Sequence, residues 1–144
     1  MAVTVKDLLD AANAAVPKIS PDEARALIAQ GALVVDVRDG TEVANGKVKG
    51  AVHAQRGLIE FKADSAMPSH DPAFQKDRTV IVYCASGGRS ALAGKTLKDM
   101  GFSDVRNLGG FKGWVDAGVR SRRGESPASG RLPVPATDSY VDCR

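Results

Sequence analysis

The sequence is poor in cysteine, histidine and aromatic residues, and each shortage excludes a class of protein. It contains two Cys and two His, and aromatic residues make up 5% of the chain. Cys84 and Cys143 lie too far apart to suggest the disulfide framework of a small secreted domain. With two distant histidines they also lack the ligand spacing of a metal site. We therefore expect no metal ion and no cofactor.

Long apolar runs and a strong excess of one charge are also missing. No stretch approaches the roughly 18 consecutive apolar residues that a membrane-spanning helix needs, and Asp7 and Asp10 interrupt the N-terminal segment where a signal peptide would be apolar. The net charge of +3 comes largely from the stretch that begins at Arg120, and no basic stripe marks a nucleic-acid surface. We predict a cytoplasmic protein without nucleic-acid or membrane partners.

The composition is otherwise that of one folded domain. Hydrophobic residues make up 43% and charged residues 26% of 144 residues, a balance that can build a core without disulfide or metal cross-links. We expect an N-terminal helix within residues 1–19 and a folded domain over 20–119. A flexible tail rich in Pro, Ser and Arg is expected over 120–144.

Strand and helix patterns alternate along the folded part. Ser20 and Glu23 form a capping box, and ALVVDV and TVIVY are typical of buried strands. The predicted elements are, in order, helix 4–15, a helix from Ser20, strand 32–37, strand 51–54, strand 79–83, helix 90–100, strand 104–108 and a short helix within 109–117. Residues 56–78 show no clear pattern. The alternation predicts an α/β fold, a mostly parallel central sheet with helices on both faces.

The segment CASGGRS, Cys84 to Ser90, joins a predicted strand to a predicted helix. The carboxyl end of a parallel strand and the start of the next helix present backbone N–H groups that favour an anion. Gly87 and Gly88 allow the chain to curve around that anion, and Arg89 adds a positive charge. Each of these features lowers the pKa of a thiol, so Cys84 is predicted to be a thiolate nucleophile that needs no histidine base.

Three segments resemble the rhodanese-like single-domain sulfurtransferase family, and they occur in the order that the family has. They are LVVDVRDGTEVANGKVKGAVHAQRG (33–57), the Cys84 segment and NLGGFKGWVDAG (107–118). Lys47 stands where the family often has a histidine. The resemblance implies a rhodanese-like fold and a catalytic Cys84 that takes sulfane sulfur from thiosulfate or a persulfide donor, protein donors included. The resulting persulfide would pass its sulfur to cyanide or a thiol.

The resemblance also implies the binding residues. The loop residues expected to bind substrate are Ala85, Ser86, Gly87, Gly88, Arg89 and Ser90. Arg38 and Arg56 are weaker candidates for neutralising the sulfonate end of an anionic donor. Asp36 and Arg38 are interpreted more readily as a structural ion pair, and Arg89 has an alternative partner in Asp36 or Glu42. Trp114 is expected to pack, and His53, His70 and Cys143 are expected to take no part.

Two other functions remain open. One is a rhodanese-like binding or regulatory module without catalytic activity, although such modules usually lack the cysteine. The other is an arsenate reductase or phosphatase, but those relatives have one more residue between Cys and Arg than the four that separate Cys84 from Arg89. The shorter loop suits a single sulfur atom better than a phosphoryl group, and no general acid is identifiable.

Overall fold

The computed structural model describes the backbone of residues 2–124 and 141–142 and the side chains of residues 2–118. Cys143 lies outside the described residues. The helices are α1 (Val5–Ala15), α2 (Pro21–Ala29), α3 (Gly40–Ala44), α4 (Ile59–Ala63), α5 (Gly88–Asp99) and α6 (Phe111–Gly124). The strands are β1 (Leu33–Asp36), β2 (Lys47–Val48), β3 (Val52–His53), β4 (Val80–Cys84), β5 (Val105–Gly110) and β6 (Val141–Asp142). A 3-10 turn, Arg56–Leu58, precedes α4.

The first two helices begin at capping boxes. The Ser20 hydroxyl accepts from the Glu23 amide at 3.1 Å, and the Glu23 carboxylate accepts from the Ser20 amide at 3.0 Å. Thr4 and Asp7 make the same pair of bonds at the start of α1. These bonds satisfy amides that the first helical turn leaves without partners. The capping box predicted at Ser20 is confirmed.

The central sheet is parallel throughout and has the strand order β3-β1-β4-β5. Val35 lies opposite Val52 on one side and Val82 on the other, and Cys84 lies opposite Gly110. Because all four strands run the same way, their carboxyl ends share one edge of the sheet, and Cys84 lies there. The predicted α/β fold with a mostly parallel sheet is confirmed.

Alternation along β4 divides the core into two layers. Val82 and Cys84 pack in a cluster with residues of α4 and α5, including Ile59 and Leu97. The intervening residues of β4 join a second cluster that includes Ala24 of α2 and Trp114 of α6, on the other side of the sheet. Helices therefore cover both faces, and Trp114, 2% exposed, packs as expected.

Several elements differ from the predicted ones. The 3-10 turn and α4 lie in the stretch that showed no pattern, and α6 continues to Gly124, beyond the boundary expected at residue 120. β2 pairs antiparallel with β6, with Val48 opposite Val141. A strand of two residues whose partner comes from the other end of the chain leaves no local periodic signal. Within the described part of the chain, no helix has the length and apolarity required to cross a bilayer.

Candidate active site

The loop from Cys84 to α5 depends on glycines at two places, at the turn before α5 and on β5 where that strand approaches the loop. Gly87 precedes α5 with φ of +101°, a conformation that side chains with a Cβ rarely adopt. A Cβ on Gly110 would lie 2.7 Å from the carbonyl oxygen of Ala85. β5 therefore packs against the loop so closely at Gly110 that no side chain would fit there.

The Cys84 sulfur is surrounded by hydrogen-bond donors from this loop. The Gly87 amide donates to Sγ at 3.0 Å, and the Ser90 hydroxyl oxygen lies 3.5 Å from Sγ. Burial raises the pKa of the Cys84 thiol. Hydrogen bonds from the Ser90 hydroxyl and from the amides of Ser90, Gly87 and Ser86 lower it by more than burial raises it, so the pKa lies below its ordinary value. This direction agrees with the sequence interpretation.

The same residue has no exposed surface. The loop residues that follow it, Ala85 and Ser86, are exposed, so the sulfur lies beneath the loop rather than on the surface. The sequence interpretation of a ready nucleophile did not anticipate this burial, which comes from the donors that close around Sγ.

Arg89 lies at the start of α5 and pairs with Glu42 of α3. Its two terminal nitrogens donate to the two carboxylate oxygens at 2.9 and 3.1 Å. This pairing raises the pKa of Arg89 and, from the other side, lowers the pKa of Glu42. Of the alternatives for Arg89, the structure shows the pair with Glu42, and the positive charge beside the loop is balanced by a carboxylate.

The partners of Arg38 lie outside the Cys84 loop. Its guanidinium donates to both oxygens of Asp36 and to the carbonyl of Gly46, and it stacks over the ring of Phe111 at 4.4 Å. Arg38 is 5% exposed. The structural ion pair is therefore the role that the geometry supports, because Nε and one terminal nitrogen of Arg38 are engaged inside the protein, and binding of a substrate by Arg38 stays a prediction.

Arg56 is also placed elsewhere. Its guanidinium donates to Glu60 of α4 and to the hydroxyl of Thr96, about two turns along α5 from its first residue, Gly88. These contacts position the side chain beside α5, and its role in neutralising a donor held by Cys84 stays a prediction. His53 donates to the carbonyl of Arg38 at 2.7 Å and lies outside the loop.

Sequence reasoning missed one buried polar residue that contacts the loop. Asn107 of β5 is 1% exposed, and its side-chain oxygen accepts from the Gly109 amide at 2.9 Å and from the Ser90 hydroxyl at 2.8 Å. Its amide nitrogen lies 3.4 Å from the carbonyl oxygen of Gly87. The available signal was an amide side chain inside an otherwise apolar strand, because a buried polar group needs partners.

Cys84 lies between a parallel strand and a helix, and backbone amides hold its sulfur. This arrangement is typical of proteins that bind or transfer an anion through a thiolate. Residues 20–117 match the family model "Rhodanese-like domain". The chain belongs to this family, and it is a sulfurtransferase in the general sense that the family relatives share.

Two of the similar proteins carry sulfurtransferase names, and a third is described differently. The chain is 42% identical over 98 residues to the thiosulfate sulfurtransferase GlpE of Pseudomonas fluorescens, which covers 67% of this chain and 83% of that protein. The human single-domain sulfurtransferase TSTD1 is 26% identical, with a TM-score of 0.59 over 77% of this chain and 99% of that one. A Rhodopseudomonas palustris structure, described as of unknown function and a possible tyrosine phosphatase, is 40% identical with a TM-score of 0.74, covering 82% of this chain and 93% of that one.

Proposed function

We propose that this protein transfers sulfane sulfur from thiosulfate to cyanide or a thiol through a persulfide on Cys84. The observation that carries the proposal is the set of donors that converge on Sγ, led by the Gly87 amide at 3.0 Å. The name of the Pseudomonas fluorescens relative supports thiosulfate as the donor. A persulfide donor, either a small molecule or a protein, offers the same sulfur chemistry.

The reaction is a double displacement. The Cys84 thiolate attacks the outer sulfur of thiosulfate, a new S–S bond forms, and sulfite leaves with the electron pair of the broken S–S bond. Cyanide or a thiolate then attacks the outer sulfur of the persulfide, and Cys84 leaves as a thiolate. No outside oxidant or reductant is needed, and the negative charge stays among the loop amides during both steps.

The residues of the loop divide this work. The amides of Ser86, Gly87 and Ser90 hold the charged sulfur, and Arg89 adds a positive charge that Glu42 moderates. Arg38 and Arg56 act outside the loop in this proposal because their guanidinium groups are engaged elsewhere. A cytoplasmic location belongs to the same proposal, since a free thiolate and a thiol acceptor stay reduced there.

The burial of Cys84 requires a local opening of the exposed segment at Ala85 and Ser86. A persulfide adds a second sulfur to this side chain, and the same opening must expose that sulfur to the acceptor. Small donors and acceptors are favoured over bulky ones for this reason.

A phosphatase is the second candidate, favoured by the description of the Rhodopseudomonas palustris relative. Two features of this chain oppose it. Four residues separate Cys84 from Arg89, which leaves a small cradle, and the guanidinium that would hold phosphate is bound to Glu42. A non-catalytic binding module is opposed by the cysteine and its donors.

Intact-mass measurement before and after incubation with thiosulfate tests the proposal. We expect the protein to gain the mass of one sulfur atom, and cyanide to remove it with release of thiocyanate. Cys84→Ser is expected to lose both events, whereas Cys143→Ser, which removes the other cysteine, is expected to keep them. Sulfur transfer that survives in Cys84→Ser, or turnover of an aryl phosphate without any persulfide, contradicts the proposal.

A further inference from the structure

Asn107 lies in the middle of β5, opposite Val82 of β4, and its side chain contacts the carbonyl oxygen of Gly87 in the Cys84 loop. The Gly109 amide, a fixed donor, lies 2.9 Å from the Asn107 side-chain oxygen and so determines which way the side-chain amide faces. That oxygen can only accept hydrogen bonds. The Ser90 hydroxyl, 2.8 Å from it, must therefore be the donor in their contact.

The Ser90 hydroxyl has one proton and three acceptors within reach. Its oxygen lies 2.8 Å from the Asn107 oxygen, 3.1 Å from the Gly87 carbonyl oxygen and 3.5 Å from Sγ of Cys84. While the proton points to Asn107, it is not available to the sulfur. Rotation about the Cβ–Oγ bond of Ser90 transfers the hydrogen bond from Asn107 to the sulfur without moving any heavy atom.

We propose that Asn107 is a positioning residue that sets the reactivity of Cys84 by competing with the sulfur for the Ser90 hydroxyl proton. A thiolate is a charged acceptor and draws the proton more strongly than a neutral carbonyl does. When Cys84 carries a second sulfur, the charge moves outward, and the proton returns to Asn107. This last step rests on the proposed function, whereas the competition itself concerns only the free thiol.

The charged groups near the sulfur do not change when Asn107 is replaced by a neutral residue. Arg89 of α5 interacts electrostatically with Cys84 and stays paired with Glu42. Asp36 of β1 is bound to Arg38 and to the hydroxyl of Tyr83, which packs in the cluster on the other face of the sheet. A change in the thiol pKa of an Asn107 variant therefore reports hydrogen bonding.

The test is a double-mutant cycle on the thiol pKa, read from the pH dependence of alkylation by iodoacetamide. The proteins are the wild type, Asn107→Ala, Ser90→Ala and the double variant. We expect Asn107→Ala to lower the pKa of Cys84 by about 0.5 to 1 unit, part of what a hydrogen bond to a charged group contributes. In the Ser90→Ala background the same substitution is expected to leave the pKa unchanged.

A purely structural role gives the opposite result. A loosened loop weakens the bond from the Gly87 amide to Sγ and raises the pKa in both backgrounds, and that outcome overturns the proposal. If Asn107→Ala does not fold, Asn107→Asp keeps the acceptor and strengthens it. We then expect the pKa of Cys84 to rise more with Ser90 present than in Ser90→Ala, and an equal rise also overturns the proposal. Alkylation needs no sulfur transfer, so persulfide formation by mass is judged separately.

Discussion

Arg89 and Glu42 form a two-pronged ion pair across the edge of the Cys84 loop, with nitrogen to oxygen distances of 2.9 and 3.1 Å. The pair joins α5 to α3 and leaves both terminal nitrogens of Arg89 occupied. An anion that enters the loop meets a guanidinium whose charge is already balanced. Glu42 therefore limits how strongly the loop binds anions, although Arg89 interacts electrostatically with the Cys84 sulfur.

Glu42→Gln is expected to strengthen anion binding because it removes the competing charge but keeps the shape of the side chain. Partly exposed ion pairs contribute about 0.5 to 1 kcal/mol, so the KM for thiosulfate and the inhibition constant for sulfate are both expected to fall about two- to fivefold. Initial rates of thiocyanate formation measure both quantities.

The matched control for Glu42→Gln is Asp99→Asn, which removes a carboxylate of the exposed Lys95–Asp99 pair at the far end of α5. It changes the net charge by the same amount without contacting Arg89. Equal shifts in KM for the two variants would mean that overall charge, rather than the release of Arg89, governs anion binding.

The sequence predicted the elements whose signals are local. The capping box at Ser20 and the apolar run that ends at Cys84 depend on neighbouring residues, and both are present in the structure. α4 was missed because five residues after a 3-10 turn are too few to show a helical period. Pairing of β2 with β6 depends on residues from two ends of the chain, which no local window contains.

The site was predictable in its backbone and less so in its side-chain partners. Glycines and the strand-to-helix position indicated where amides would surround Cys84. The choice of Glu42 for Arg89 and the contact of Asn107 with Ser90 depend on distances between separate elements, which spacing along the chain does not reveal. Arg56 was a candidate because of its charge, but tertiary contacts hold it beside Thr96.

The lowered pKa of Cys84 predicts a specific pH dependence of its alkylation. Since the pKa lies below its ordinary value, the rate with iodoacetamide is expected to reach its plateau at a lower pH than that of an unfolded sample of the same protein. The plateau itself is expected to be lower than for an exposed thiol, because Sγ is buried. Relative to its rate with a small free thiol, a bulky maleimide is expected to be slowed more than iodoacetamide, and an equal slowing of both reagents would argue against the buried position.

The same shift links folding stability to pH. A thiol whose pKa is lower when folded stabilises the fold above the pKa of the unfolded chain, and this contribution is lost as pH falls through the folded pKa. The difference in unfolding free energy between the wild type and Cys84→Ser is therefore expected to be larger at pH 9 than at pH 5. Urea denaturation at the two pH values measures it, and a difference independent of pH contradicts the shifted thiol.

Tyr83→Phe is expected to destabilise the fold, because the Tyr83 hydroxyl joins β4 to β1 and β2. The buried Tyr83 hydroxyl donates to Asp36 at 2.6 Å and accepts from the Val48 amide at 3.0 Å, and phenylalanine leaves both groups without this partner. The free energy of unfolding should fall by roughly 1 to 3 kcal/mol. Urea denaturation measures the loss, and Ser103→Ala, which removes an exposed hydroxyl, is the control that should change little.

Gly110→Ala separates the support of the loop from the stability of the fold. Its Cβ would lie 2.7 Å from the Ala85 carbonyl oxygen, so the loop must shift, and displaced amides should slow persulfide formation by about tenfold or more. Gly113→Ala in α6 meets no atom within 4 Å and favours the helix, so it should retain the rate and gain about 0.5 to 1 kcal/mol of stability. The rate of persulfide formation in the two variants is compared by stopping the reaction with thiosulfate at successive times and measuring the intact mass. Equal rates would show that the close approach of β5 does not position the amides around Cys84.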